Sequence, residues 1–181
     1  MNLEALKETL PAYAKDVRLN LESVLSKGGA PGLDQKQIAL VALASAVAAR
    51  HLPLTGAIHA FAARHAGEDE MNGARAAAAV MGMNNVYYRF THSVSDREYQ
   101  TLRASLRMNV MARPGCDKAT FELASLAVSA INGCAACMDS HERTLRQHGL
   151  GAQAVQSAVR IASVIHAAAV ILEQESIRPA A

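Results

Sequence analysis

The sequence contains no tryptophan and few other aromatic residues, with four tyrosines and three phenylalanines in 181 residues. β-Sandwiches rely on aromatic and β-branched side chains, so this shortage argues against that class of fold. Hydrophobic residues nevertheless make up 51% of the chain, and alanine is prominent among them. Small side chains allow helices to approach one another closely. The composition therefore favours one helical domain, with a core large enough to fold without disulfide bonds.

Blocks of lysine and arginine are also missing, and the formal net charge is only +2. Nucleic acids and anionic membranes are bound through such blocks, so we expect neither partner. The first 25 residues carry charges throughout and lack the apolar core of a signal peptide. The longest apolar stretches, residues 38–49 and 158–172, are too short or too interrupted by polar residues to span a bilayer. We therefore expect a cytoplasmic protein with no membrane attachment.

Strand signals are nearly missing, whereas helix signals run along the whole chain. No stretch combines polar and apolar alternation with β-branched residues. Apolar residues repeat at three- and four-residue steps through residues 3–21, with a break at Pro11. Further helices are predicted at about residues 34–50, 53–67, 68–81, 95–106, 117–132, 134–149 and 150–175, with an irregular region at 82–92 and a frayed tail at 177–181. The sequence thus predicts an all-α fold, one compact domain of seven to nine helices spanning residues 1–181.

Two segments, near residues 34–92 and 117–175, resemble each other and indicate an internal duplication. Each holds an alanine-rich helix, a break, a histidine, and a glycine eight residues after that histidine. Alanine-rich helix pairs can also look alike by chance, so both explanations stay open. The matching positions are His59 with His141, Gly67 with Gly149, and Leu52 and Thr55 with Cys134 and Cys137.

The strongest chemical signal is a pair of cysteines, Cys134 and Cys137, followed by His141. At a helix start, cysteines three residues apart lie about one turn apart, within reach of a disulfide bond. Unpaired N–H groups and the positive end of the helix dipole stabilise a thiolate there. His141 falls on the same helix face, where an imidazole can take a thiol proton or hold a thiolate as an ion pair. In a reducing compartment such thiols indicate redox chemistry or metal binding.

A zinc-stabilised interaction module is the main competing interpretation of these residues. Cys134, Cys137, His141 and one carboxylate would complete a tetrahedral site. Structural zinc sites usually bring a second CxxC or a histidine pair, and the sequence has neither. No flavin, haem or nucleotide motif is visible, so we expect no bound cofactor or metal and electrons from an external dithiol. The third cysteine, Cys116, and the six other histidines are expected to play no part in the site.

The segment around the dithiol, SAINGCAACMDSHERTLRQHG, resembles the active-site segment of the AhpD-type alkylhydroperoxidases, within the carboxymuconolactone decarboxylase-like superfamily. The resemblance covers nearly the whole chain, through LKETLPAYAKDVRLNL, AAAAVMGMNNVYYRF, LRMNVMARPG and KATFELASLAVSAINGC. A glutamate twelve residues before the motif CxxCxxxHE makes the pattern highly specific. A lyase of the decarboxylase branch is a further alternative, although that chemistry has no use for paired thiols.

The resemblance implies an all-α antioxidant enzyme, usually a homotrimer, that reduces alkyl hydroperoxides. It also implies a dithiol adaptor that takes electrons from a dihydrolipoyl group on a dehydrogenase-complex subunit and regenerates a peroxiredoxin. Carried over, the site of the family comprises Cys134, Cys137, His141 and Glu122. A further histidine of the family, between the two cysteines, is Ala136 here. We assign the MGMNNVYYRF stretch no chemical role and expect it to serve in packing or trimer contacts.

The place of Glu122 and the roles of the two cysteines depend on how the chain folds. In one continuous helix Glu122 would lie ~18 Å from Cys134, at ~1.5 Å per residue. It joins the site only if the chain folds back at residues 132–133 or a neighbouring subunit contributes. We expect Glu122 to accept a proton through a water from His141, which deprotonates Cys137 for attack on the peroxide. The helix start instead favours Cys134 as the more exposed sulfur that exchanges with partners, and the assignment stays open.

Overall fold

The computed structural model describes residues 2–177, where nine α-helices account for most of the chain. They are α1 (Leu3–Glu8), α2 (Lys15–Val24), α3 (Gln35–Ala49), α4 (Leu52–Ala62), α5 (Glu68–Ser93), α6 (Glu98–Thr101), α7 (Lys118–Ile131), α8 (Ala135–Gln147) and α9 (Ala152–Ser176). Short 3₁₀ helices cover Ala12–Ala14 and Asn109–Ala112, and this part of the chain contains no strand. The predicted all-α class and helix number are confirmed. The predicted frayed tail lies outside the described residues, apart from Ile177.

Helices α3 and α7 form the centre of the fold. Helix α3 contacts α4, α5, α7 and α9, and α7 in turn contacts α5, α8 and α9. Every residue from Ile38 to Ala46 is buried, and so is every residue from Thr120 to Ser129. A helix can be buried all round only when neighbours cover every face, and it is then apolar all round. Glu122, the catalytic candidate on α7, therefore lies in a buried, water-poor position.

The starts of these two central helices follow the local sequence. The Asp34 side chain accepts a hydrogen bond of 2.8 Å from the backbone N–H of Gln37. The Asp117 side chain accepts one of 2.9 Å from the N–H of Thr120 in the same way. Such N-caps satisfy N–H groups that have no partner within the helix. The predicted helix start near residue 34 and the predicted break at Pro11, which separates α1 from α2, are both confirmed.

The long helix α5 differs from the prediction. The sequence indicated a helix end at Met81 and an irregular region at residues 82–92, whereas α5 continues unbroken to its end at Ser93. Gly82 inside the helix costs about 1 kcal/mol relative to alanine. Packing of the next turn compensates, since the buried Asn85 donates a hydrogen bond of 2.9 Å to Ser129 on α7. Tertiary contacts thus overrule the local signal for a break.

Two smaller predictions are also wrong. The helix expected over residues 95–106 contains only the four residues of α6, none of which is buried. Because these residues make no buried contacts, the helix gains too little stabilisation from packing to continue over the rest of residues 95–106. Gly67, which we expected to end α4, is instead the N-cap of α5, because α4 ends earlier, at Ala62.

The two predicted half-repeats each fold into three consecutive helices. Helices α3, α4 and α5 have 15, 11 and 26 residues, and α7, α8 and α9 have 14, 13 and 25. Counted from the N-caps, His51 rather than Leu52 occupies the position of Cys134. The two halves thus contain three helices of similar lengths in the same order, which supports the duplication. The duplication stays a prediction, and superposition of the two halves can test it.

Helix α9 is long and apolar enough, by length and composition alone, to cross a membrane. This differs from our expectation that no apolar stretch is long enough. In the fold, α9 packs against α2, α3 and α7 and buries Ile161, Ile165 and Leu172 with several alanines. Core helices of globular folds have this composition too. Packing against the core thus accounts for the apolar face of α9.

Candidate active site

A sharp reversal of the chain between α7 and α8 assembles the candidate site. Gly133 adopts the left-handed region, with φ of +68°. Its N–H donates to the carbonyl of Ala130 at 3.2 Å, and the N–H of Cys134 donates to the carbonyl of Ser129 at 3.0 Å. These two bonds form the Schellman motif, which ends a helix and turns the chain. Helix α8 therefore folds back beside α7, as Glu122 requires in order to reach the dithiol.

Cys134 and Cys137 form a disulfide bond, as predicted, with their Cα atoms 5.3 Å apart. Cys134 is the N-cap of α8, and Cys137 lies in its first turn, where the helix dipole stabilises a thiolate once the bond is reduced. Cys134 has no exposed surface, whereas Cys137 is 7% exposed and lines a pocket. Our expectation that Cys134 is the more exposed sulfur is therefore wrong for the disulfide form. The reason is that Cys134 lies inside the turn between α7 and α8, where the surrounding chain covers it completely.

His141 and Glu122 form a buried pair between α8 and α7. Nδ1 of His141 lies 2.6 Å from Oε2 of Glu122, and the two residues are only 7% and 4% exposed. The water that we expected between them is not needed, because the hydrogen bond is direct. A carboxylate acceptor keeps a hydrogen on Nδ1 and leaves Nε2 as the nitrogen that can exchange protons.

Lys118 contributes a positive charge that the sequence analysis overlooked. Its Nζ lies 3.0 Å from Oε1 of Glu122, one helical turn along α7. Burial acts to raise the pKa of Glu122, but the hydrogen bonds and charges of His141 and Lys118 together outweigh it, so that the pKa lies below its ordinary value of 4.5. Glu122 is therefore ionised at neutral pH. The spacing of four residues between Lys118 and Glu122 is the signal that could have revealed this ion pair.

The other ring nitrogen of His141 faces a methionine. Nε2 lies 3.2 Å from Sδ of Met81, which is 1% exposed. A thioether is a weak hydrogen-bond acceptor, so a hydrogen on Nε2 can rest against this sulfur. In this disulfide form the two ring nitrogens of His141 therefore face Glu122 and Met81.

The metal-site interpretation finds no support in this geometry. The two sulfurs are bonded to each other, and the nitrogens of His141 face Glu122 and Met81. Across residues 2–177, no group of three or more His, Cys, Asp or Glu side chains is placed to hold a metal ion.

A pocket of about 480 Å³ opens beside the disulfide. Most of its exposed lining is apolar, with three methionines among the ten lining residues, and its reactive groups are Cys137 and His141. Such a pocket suits a molecule with an apolar body and one polar reactive end. The lining residues are Met81, Asn84, Tyr88 and His92 of α5, Met108 and Met111 before α7, and Ala136, Cys137, Ser140 and His141 of α8.

The four α5 residues of this pocket were missed at the level of sequence. The stretch MGMNNVYYRF had no assigned chemical role, and His92 showed no ligand spacing. Their signal was present as steps of three and four residues, which place Met81, Asn84, Tyr88 and His92 on one helix face. It could be recognised only if residues 82–92 were taken as helix. His92 holds its Nδ1 at 2.8 Å from the carbonyl of Tyr88, so that the ring is anchored to α5.

Cys116 lies outside this site. Burial, together with the negative charges of Asp117 and Glu70, raises the pKa of its thiol to about 11. The thiol is therefore protonated and unreactive at neutral pH.

Comparison with known proteins assigns the chain to a family. The profile of the carboxymuconolactone decarboxylase family matches residues 97–174. A relative from Maricaulis maris is 52% identical over 97% of this chain and 100% of its own length. Relatives from Bradyrhizobium sp. and Rhodopseudomonas palustris are 48% and 50% identical over 98% and 96% of this chain, and over 96% and 94% of their own. All three carry the name alkyl hydroperoxide reductase AhpD. The chain belongs to the AhpD family.

Membership of the AhpD family confirms the resemblance identified from the sequence. The decarboxylase profile covers Glu122, both cysteines of the disulfide and His141. The α5 wall of the pocket lies before its first matched residue, whereas the AhpD relatives match nearly the full chain. Because these relatives carry a reductase name, the family assignment favours dithiol chemistry over the lyase alternative.

Proposed function

We propose that this chain is a thiol-dependent alkyl hydroperoxide reductase that cycles Cys134 and Cys137 between dithiol and disulfide. The observation that carries the proposal is the pocket in which Cys137 and His141 meet, with His141 held by the buried Glu122. The AhpD relatives point to alkyl hydroperoxides as substrates. The apolar walls of the pocket suit the alkyl part of such a molecule, and Cys137 lies where its peroxide end would dock.

The first half-reaction oxidises Cys137. His141, with its Nδ1–H held by Glu122, accepts the thiol proton of Cys137 on Nε2. The thiolate attacks the distal oxygen of the hydroperoxide, so that the O–O bond breaks and an S–O bond forms. The alkoxide takes a proton from His141 and leaves as an alcohol, and Cys137 becomes a sulfenic acid. The negative charge of Glu122 stabilises His141 while it holds the proton.

The second half-reaction closes and reopens the disulfide bond. The thiol of Cys134 condenses with the sulfenic acid of Cys137 and releases water. An external dithiol then attacks Cys137, the sulfur that lines the pocket, through a mixed disulfide. This attack releases Cys134 as a thiolate at the N-terminus of α8, where the helix dipole stabilises it. The second thiol of the external dithiol then attacks the mixed disulfide, so that Cys137 is released as a thiol and the external dithiol becomes a disulfide. The exposure of the two sulfurs thus favours exchange at Cys137 rather than at Cys134.

The proposed partners follow from the family and the chemistry. A dihydrolipoyl group on a dehydrogenase-complex subunit is proposed as the reductant, and a peroxiredoxin as the protein that this dithiol regenerates, in the cytoplasm. A homotrimer is also proposed. Exposed apolar side chains support association with further chains, since Val86, Phe90 and Leu102 are 61%, 48% and 54% exposed. Light scattering on the purified chain measures the oligomeric state, and reconstitution with a lipoyl domain and a peroxiredoxin tests electron transfer.

A peroxidase assay with cysteine variants tests the central proposal. The chain, reduced with dithiothreitol, is mixed with cumene hydroperoxide, and peroxide loss and free thiols are measured. Cys137→Ser should abolish turnover, and Cys134→Ser should stop after one round with a sulfenic acid that dimedone traps on Cys137. Cys116→Ser is the matched control and should retain the native rate. Robust peroxide reduction by Cys137→Ser would overturn the assignment, and lyase activity without thiol oxidation would favour the decarboxylase branch.

A further inference from the structure

We propose that Met81 is a modification site at which the hydroperoxide substrate oxidises the protein and disables His141. The inference rests on the proposed function in one respect, namely that the pocket beside Cys137 admits a hydroperoxide. It adds a second sulfur that reacts there and a consequence for the catalytic histidine.

The position of Met81 separates it from the other methionines of the chain. Met81 and Cys137 line the same pocket, so a peroxide bound there lies beside both residues. Met81 Sδ also lies 3.2 Å from Nε2 of His141, the nitrogen that has to receive the thiol proton. Met108 lines the pocket as well, but the partner of its sulfur is Asn84, at 3.0 Å, and not His141. Met81 Sδ also accepts a longer hydrogen bond, of 3.9 Å, from Asn85, so contact with His141 is what distinguishes it. Oxidation of Met81 therefore changes the surroundings of the catalytic base directly.

The reaction needs no oxidant beyond the substrate. The thioether sulfur of Met81 attacks the distal oxygen of the hydroperoxide, an S–O bond forms and the O–O bond breaks. The sulfur loses two electrons, and the peroxide is reduced. The hydroperoxide proton passes to the departing alkoxide, which leaves as an alcohol, and Met81 becomes a sulfoxide. The share of peroxide that reacts with Met81 increases when the disulfide form persists, because neither cysteine can then react with peroxide.

The product interferes with proton transfer. A sulfoxide oxygen is a much stronger hydrogen-bond acceptor than a thioether sulfur and binds the N–H at Nε2 of His141. His141 is then held protonated between this oxygen and the carboxylate of Glu122, so that it cannot accept the proton of Cys137. Loss of a general base lowers a rate by about 100-fold or more, which is the expected effect of oxidised Met81 on peroxidase turnover.

Peptide mass spectrometry and activity measurements on the full chain test this inference. The disulfide form is incubated with excess cumene hydroperoxide without reductant, freed of peroxide, reduced with dithiothreitol and assayed. Met81 should gain one oxygen faster than Met83, which lies on the same helix but does not line the pocket. The loss of activity should follow Met81 oxidation. After the same peroxide treatment, Met81→Leu should be as active as that variant was before treatment. Met83→Leu should lose activity as the native chain does.

A repair experiment keeps the test valid if Met81→Leu folds poorly. Methionine sulfoxide reductase should restore the activity of the peroxide-treated native chain. Equal oxidation rates at Met81 and Met83, or inactivation without oxygen on Met81, would overturn the inference. The mass measurement requires no turnover. An untreated chain without peroxidase activity therefore contradicts the proposed function, while the modification of Met81 is decided separately.

Discussion

Replacing Glu122 by glutamine tests whether the buried carboxylate supports proton transfer at His141. The change keeps the size of the side chain and removes its charge. It weakens the hydrogen bond of 2.6 Å to His141 and the ion pair of 3.0 Å with Lys118. A hydrogen bond to a charged group contributes about 1.5–3 kcal/mol, and about 1.4 kcal/mol corresponds to a tenfold change in rate. We therefore expect oxidation of Cys137 by peroxide to slow by about 10- to 100-fold.

A single-turnover assay measures this effect without the reductant. The fully reduced chain is mixed with cumene hydroperoxide, and the loss of free thiols is followed over time. Glu142→Gln is the matched control, because Glu142 directly follows His141 but pairs with Arg146 at 3.8 Å on the surface. It should react at the native rate. If Glu122→Gln, shown by circular dichroism to be folded, reacts as fast as the native chain, Glu122 has no part in the proton transfer.

Three further predictions concern the site and the backbone that supports it. His141→Gln should slow oxidation by peroxide by about 100-fold, whereas diamide should still close the disulfide; an unchanged peroxide rate would remove His141 from the mechanism. Because the pKa of Glu122 lies below its ordinary value of 4.5, its ionisation stabilises the fold above that pH and this contribution is lost as the pH falls through the lower, folded value. The difference in urea unfolding free energy between native chain and Glu122→Gln should therefore shrink on acidification, and a constant difference would contradict the ion-pair account. Gly133→Ala should destabilise by about 1–2 kcal/mol, since φ is +68°. Gly56→Ala, with equally open space inside α4, should stabilise by up to about 1 kcal/mol, and equal effects at both sites would refute the backbone argument.

Local interactions explain which features could be predicted from the sequence. The N-cap of α3 depends on one side chain and a backbone N–H three residues away. The disulfide needs only two cysteines one helical turn apart, and His141 follows one turn later on the same face. The family resemblance added Glu122, whose spacing alone would have marked it as an ordinary residue at a helix start.

Contacts between segments that are distant in the sequence decided those features of the fold and the site that could not be predicted. His141 reaches Glu122 across 19 residues and Met81 across 60, distances along the chain at which helical periodicity carries no information. The continuation of α5 through Gly82, which places Asn84, Tyr88 and His92 in the pocket wall, depends on packing against α7 and α8. The chain reversal at Gly133 buries Cys134 and leaves Cys137 at the pocket. The sequence by itself therefore determined the helices and the reactive dithiol. The tertiary structure alone decided which sulfur lines the pocket and what each nitrogen of His141 faces, because burial and hydrogen-bond partners arise only when separate helices pack.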